Sequence, residues 1–145
     1  MKDKMKPIFF ILLIIMSIGS FLFNFNNFLM GNPATAENFY VSVLFILTWA
    51  GFTLFSRKSY KMLTYILVYW ALVFIASCLG CIVLSFDSNL GILHDIALML
   101  GILFWPQMYG LTYLLPQGII TLLVQLPIAL AFIVYCNWYK NHRPQ

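Results

Sequence analysis

Charge is scarce in this sequence: eight Lys and Arg and four Asp and Glu make up 8% of 145 residues, where an ordinary globular domain carries roughly a quarter. So few charges cannot cover a surface that faces water. This excludes a cytosolic enzyme, a secreted disulfide scaffold and an autonomous nucleic-acid binder. Local catalytic motifs are missing as well: the chain has no H-E-x-x-H, no G-x-S-x-G, no glycine-rich phosphate loop and no Asp-rich metal motif. A paired-carboxylate peptidase would need two acids held together by a polar motif, which Asp87 and Asp95 lack. Catalysis is therefore the minority reading, and no cofactor is expected.

In place of charge stands hydrocarbon, with 63% of residues hydrophobic, 18% aromatic and a mean hydropathy of +0.93. The charges fall in clusters at Lys2 to Lys6, Glu37, Arg57 to Lys61, Asp87 to Asp95 and Lys140 to Arg143. Between them lie four uncharged stretches, Pro7 to Ala36, Asn38 to Ser56, Met62 to Phe86 and Ile96 to Tyr139, of 30, 19, 25 and 44 residues. A helix needs about 20 apolar residues to cross about 30 Å of hydrocarbon, so each stretch reaches spanning length. The expected fold is an all-α integral membrane protein with a single membrane domain. It is a four-transmembrane-helix bundle with spans at about 8–30, 39–56, 62–86 and 118–138, and a hydrophobic interfacial or re-entrant segment at about 90–115.

All Lys and Arg occupy the first, third and last clusters, and the other two hold only acids. By the positive-inside rule this puts the N-terminus, the Arg57 to Lys61 loop and the C-terminus in the cytoplasm, and places the chain in the cell membrane as a multi-pass protein. Anionic lipid headgroups, and not nucleic acid, are the expected partners of the basic loops. The last stretch is long enough for two spans, but two would carry Lys140 and Arg143 outside. A single final helix from about Gly118 avoids that, leaving Leu90 to Leu115 outside or re-entrant, broken at Trp105-Pro106-Gln107 and closed by Pro116-Gln117-Gly118. The alternative is five transmembrane helices with an external C-terminus. Trp105, Tyr109 and Tyr113 recur every four residues, which suits a helix at headgroup level or a packed aromatic face. Ala34-Thr35-Ala36 superficially resembles a signal-peptidase site, but it lies far beyond an apolar run that is itself too long for a signal peptide, so a retained first helix is expected.

Ser17, Ser20, Asn24 and Asn27 share one face of the first span, with Gln125 in the last span and Gln107 near the proline. Buried amides and hydroxyls in hydrocarbon serve either as interhelical glue or as the lining of a solute path. No charge stands in mid-span, which counts against a proton-coupled pump. In the third span Ala76 and Gly80 form a small-xxx-small pair with Ser77, Cys81 and Ser85 beside it, the pattern of close helix packing.

Cys78 and Cys81 also match the C-x-x-C spacing of thiol oxidoreductases. Four spans with such a pair near the outer face resemble, superficially, the quinone-linked membrane enzymes that reoxidise periplasmic disulfide catalysts. The chain departs from that plan because the required second cysteine pair is missing, Cys136 being the remaining cysteine at the opposite end of the membrane. Glu37, Asp87, His94 and Asp95 gather on the outer side, where a divalent cation is conceivable, but their spacing fits no compact ligand motif and hydrated loop charges are the plainer reading. The function expected from these features is a non-catalytic accessory, regulatory or immunity-type membrane subunit that contacts a membrane-protein partner or further copies of itself. Two alternatives are a homo-oligomeric transporter or channel and a membrane thiol oxidoreductase or other intramembrane enzyme.

Overall fold

A computed structural model of the chain describes residues 2–85, 91–114 and 119–142. It is an all-α membrane bundle of α1 (Lys2–Leu29), α2 (Ala36–Ser56), α3 (Tyr60–Ser85), α4 (Ile92–Met108), a 3-10 helix (Tyr109–Leu114) and α5 (Ile119–Asn141). Five helical segments among the described residues are long and apolar enough to cross a membrane, Ile92–Leu114 included.

Local chemistry defines the first turn between helices. After Leu29 the chain closes a Schellman motif, in which the Asn32 amide donates to the Asn27 carbonyl at 3.0 Å and the Gly31 amide to the Phe28 carbonyl at 3.3 Å. Gly31 sits at φ +65°, the left-handed region where a Cβ is strained. Thr35 then caps α2: its hydroxyl oxygen accepts from the Asn38 amide at 3.3 Å, and Asn38 Oδ1 accepts from the Thr35 amide at 2.9 Å, a reciprocal capping box. Arg57-Lys58-Ser59 makes a still shorter turn into α3.

The four long helices form two antiparallel pairs. Phe9 stacks on Phe55 near one end of α1 and α2, and Asn24 bonds Ser42 near the other. α3 and α5 make the most extensive packing in the bundle, matching Gly80 with Leu122, Ser77 with Gln125, Trp70 with Phe132 and Tyr60 with Lys140. Trp49 of α2 stacks on Tyr69 of α3 with centroids 4.3 Å apart and meets Trp70 edge-on at 5.6 Å, while Trp70 stacks on Phe132 at 4.2 Å. This aromatic layer joins the pairs, and fully buried Phe45, Leu63, Ile66 and Val73 pack around it. Offset and edge-on rings add to the area they bury, about 0.5 to 1.5 kcal/mol per pair.

These pairings put the start of α1, the α2–α3 turn and the C-terminal end of α5 at one end of the bundle, so that Lys2, Lys4, Lys6, Arg57, Lys58, Lys61 and Lys140 all belong to that end. The α1–α2 turn, the end of α3 and the start of α5 lie at the far end. Ser85 and Ile119 are both at the far end. Six links from Ser85 to Gly91 reach at most about 22 Å, well short of the roughly 39 Å length of α3. The segment α4 plus 3-10 helix is a wedge. It packs on α1 and α3 through α4 and on α2 through the 3-10 turn, and its deepest contacts join Phe104 and Gln107 to Tyr69.

One sequence expectation needs correction. The helix is not broken at Trp105-Pro106-Gln107: α4 continues through Pro106 to Met108, and the tightening to 3-10 geometry begins at Tyr109, whose amide donates to the Pro106 carbonyl. Proline lacks the amide that would bond the Ile102 carbonyl, and α4 runs on through this one missing bond without ending there. The change of pitch separates the aromatic series. Trp105 and Tyr109 both pack edge-on against Phe28, whereas Tyr113 turns out beside Phe39 and is half exposed. Pro116-Gln117-Gly118, expected to close this segment, lies outside the described residues.

Candidate functional site

The largest concentration of buried polar groups lies where the wedge meets α1 and α2. Ser20, Asn24, Asn38 and Ser42 are essentially inaccessible. Asn24 is the hub: its Nδ2 donates to Ser42 Oγ at 3.0 Å and weakly to Ser20 Oγ at 3.5 Å, and its Oδ1 accepts from Asn38 Nδ2 at 2.8 Å. Asn27 Nδ2 donates to Asn38 Oδ1 at 2.9 Å, which ties the capping box of α2 back to α1. Two bonds then fasten the wedge: Ser20 Oγ donates to the Gln107 carbonyl at 2.6 Å, and the Gly110 amide donates to Ser42 Oγ at 3.0 Å. Tyr109 adds a third, from its hydroxyl to the Asn32 carbonyl.

Gly110 is where the backbones touch. A Cβ built there would overlap the Asn38 carbonyl and lie 2.6 Å from the Phe39 nitrogen, both main-chain atoms that cannot move aside. The 3-10 turn therefore rests directly on the first turn of α2. On the opposite side of the wedge the Trp105 ring occupies the space over Gly80 and Gly101, with Leu122 of α5 at the same glycine. Gly80 is thus more than a helix–helix spacer: it seats the indole. Tyr69 completes the anchorage by donating its hydroxyl to Gln107 Oε1.

The residues singled out from sequence do not form one group. Ser20, Asn24 and Asn27 are joined in the network described, but Ser17, half-buried on the same helix, takes no part in it. Gln125 stands apart between α3 and α5, accepting from Ser77 Oγ at 3.1 Å while its Nε2 finds no partner among the described residues. The indole nitrogens of Trp49, Trp70 and Trp105 are likewise buried without one. Reading the sequence missed Asn38, Ser42, Tyr69 and Gly110. The i, i+4 spacing of Asn38 and Ser42 was a usable signal, since it sets both on one face of α2.

Cys78 and Cys81 are half-buried free thiols one helical turn apart, and Cys136 is a buried free thiol on α5. His94 Nδ1 lies 3.7 Å from Asp95 Oδ1 with both side chains substantially exposed. Glu37 is exposed in the first turn of α2, where it complements the helix dipole. Asp87 lies outside the described residues. Among the described residues no three His, Cys, Asp or Glu side chains are grouped to hold a metal ion.

The cavities are of another kind. One of about 210 Å³ opens between α2 and α5, lined by Ala50, Thr53, Leu54, Ala131, Phe132 and Tyr135. A second of about 530 Å³ continues along α5 past Pro127, Leu130, Val134 and Trp138. Both are apolar grooves on the bundle surface. Compared with protein families, curated proteins and solved structures, the chain matches none.

Proposed function

We propose that the chain is a non-catalytic multi-pass subunit of the cell membrane, accessory, regulatory or immunity-type, that acts through helix–helix contact with a membrane-protein partner. In this arrangement α1, α2, α3 and α5 cross the bilayer, the wedge dips in from the outer face and returns, and both termini are cytoplasmic with the basic clusters. The observation that carries the reading is the engagement of the α1 polar stripe. Ser20, Asn24 and Asn27 are tied to α2 and to the wedge in fixed bonds, so they work as glue and leave no polar path beside them. What the bundle presents outward is apolar surface, including most of the long side chains of α1. Purification from native membranes in mild detergent should retain a stoichiometric membrane partner whose loss follows bulky substitutions on one exposed face. Recovery of the isolated chain alone, with no crosslinked partner in the membrane, overturns the proposal.

A second reading, a small homo-oligomeric transporter or channel, draws on one observation. The Gln125 amide and the Trp105 indole each bury a donor without a partner near the junction of the wedge with α3 and α5, as a hydrated passage would require. Solute flux in liposomes that falls on Gln125→Leu would favour it, and absence of flux over a broad solute panel would reject it.

A further inference from the structure

α1 is the least enclosed of the five membrane-length segments. Ser20, Asn24 and Asn27 bind it to α2 and to the wedge, and the opposite side of the helix is left open. On that side Ile8, Ile15, Leu22 and Leu29 recur every seven residues, each more than half exposed. Between them, also seven apart, stand Leu12, Gly19 and Asn26, all exposed. The combined spacing alternates four residues with three. Such a strip runs nearly straight along a helix and packs knobs into holes against the same strip of a second helix.

Asn26 indicates what the strip meets. Two residues earlier Asn24 faces the interior and is bonded through both ends of its amide, whereas Asn26 is rotated to nearly the opposite side. Its side chain makes no hydrogen bond among the described residues. Leu22, Leu29 and Met30 around it are exposed, so the amide is set in hydrocarbon surface, one turn inside the end of the Pro7–Leu29 segment. Acyl chains supply neither donor nor acceptor, and an amide left unpaired among them is costly. A second copy of the chain supplies both. The same basic clusters orient every copy alike in the bilayer. Two copies related by an axis along the membrane normal therefore set Asn26 opposite Asn26 at one depth, each amide donating to and accepting from the other. Gly19, two turns away on the same strip, has nothing within 4 Å of where its Cβ would stand, which lets two backbones approach there.

We propose that the open strip of α1 is the seam of a parallel homodimer, with Asn26 paired to Asn26 of the second copy and Gly19 at the closest approach. The dimer does not require the membrane-protein partner proposed above, which would use another face. It is tested by single-molecule photobleaching of full-length chains, each carrying one fluorophore at the N-terminus, in phosphatidylcholine liposomes over a range of dilutions. Spots that bleach in two steps should predominate at low dilution, whether or not native membranes yield another partner. Asn26→Leu should raise the dissociation constant about tenfold, within the range of interhelical hydrogen bonds in membranes. Asn26→Gln keeps a donor and an acceptor and should recover part of that loss. Gly19→Leu adds bulk where the same chain offers no contact, so it should leave the unfolding midpoint unchanged while reducing the spots to single steps. Ile15→Trp blocks the neighbouring turn and serves if Gly19→Leu fails to fold. Ile75→Trp, on the exposed side of α3, should leave two-step bleaching intact. Single-step bleaching of the unsubstituted chain at every dilution overturns the proposal. A dimer that survives Gly19→Leu in a folded variant overturns it in favour of another face. A dimer indifferent to Asn26→Leu overturns the amide pairing and leaves Asn26 to lipid headgroups.

Discussion

The indole of Trp105 lies over the bare backbone of Gly80, where any Cβ would collide with the ring. A tryptophan of the wedge is thereby keyed into a gap in α3, beside Leu122 of α5. Gly80→Val forces the ring out of this seat, and overpacking of this kind costs about 1 to 3 kcal/mol. The expected outcome is a lowered unfolding midpoint in detergent, partly recovered when Trp105→Ala is added. Additive losses in the double-mutant cycle would show that the two residues do not act on one another.

Two glycines should respond in opposite directions to the same substitution. Gly110→Ala drives a methyl group into the main chain of α2 and detaches the 3-10 turn, whereas a methyl at Gly19 meets nothing within 4 Å. Gly19→Ala should be neutral or stabilise α1 by up to about 1 kcal/mol through helix propensity. Gly110→Ala should destabilise strongly and raise proteolytic access to residues 109–114. Thermal unfolding of both variants under one condition checks the contrast.

Asn24 and Gln125 are both buried amides, but they are unequal. Asn24 makes well-formed bonds at 3.0 and 2.8 Å through both ends of its amide. Asn24→Leu leaves Asn38 and Ser42 short of partners and should cost about 1 to 3 kcal/mol. Gln125 uses its oxygen alone, so Gln125→Leu removes a buried donor that is already unsatisfied and should cost less than half as much. Equal losses, measured by unfolding in detergent, would mean that the Gln125 donor has a partner in the native membrane.

The shared end of the two termini predicts the outcome of a topology experiment. Paired reporters fused to Gln145, one active only in cytoplasm and one only outside, should give the cytoplasmic signal, and fusions before Met1 the same. Opposite signals from the two termini would require the wedge to cross the membrane, which the antiparallel pairing of α3 with α5 opposes.

Thiol accessibility should distinguish packing from redox chemistry at Cys78 and Cys81, which are free in the structure. Labelling by a small maleimide should be the same before and after reduction, with buried Cys136 slowest of the three. A rise in labelling only after reduction would restore the oxidoreductase reading.

Much of the architecture was legible in the chain because charge and hydropathy act through the solvent. Lipid demands uninterrupted apolar helices of a given length, and charges mark their ends. The stripe of Ser20, Asn24 and Asn27 was visible as a buried face, since helical spacing alone sets it. What it bonds was not visible, because Ser42 and the Gln107 carbonyl arrive from 18 and 87 residues away along the chain. The i, i+4 aromatics of the wedge misled for a local reason, as the switch to 3-10 geometry after Met108 rotates Tyr113 away from Trp105 and Tyr109.

By itself the sequence determined the solvent and the apolar helices: hydrocarbon content requires a membrane, uncharged stretches of spanning length supply the helices, and the basic clusters label one side. Only the tertiary structure decided that α5 pairs with α3, that Gln125 stands apart from the Asn24 network, and that the segment before α5 is a wedge held by Gly80 and Gly110. These are outcomes of shape complementarity between distant surfaces. In a chain that is hydrophobic on every face, composition does not say which apolar surface meets another and which meets lipid. That choice is made where a glycine admits a ring or a backbone, and where a buried amide finds its partner.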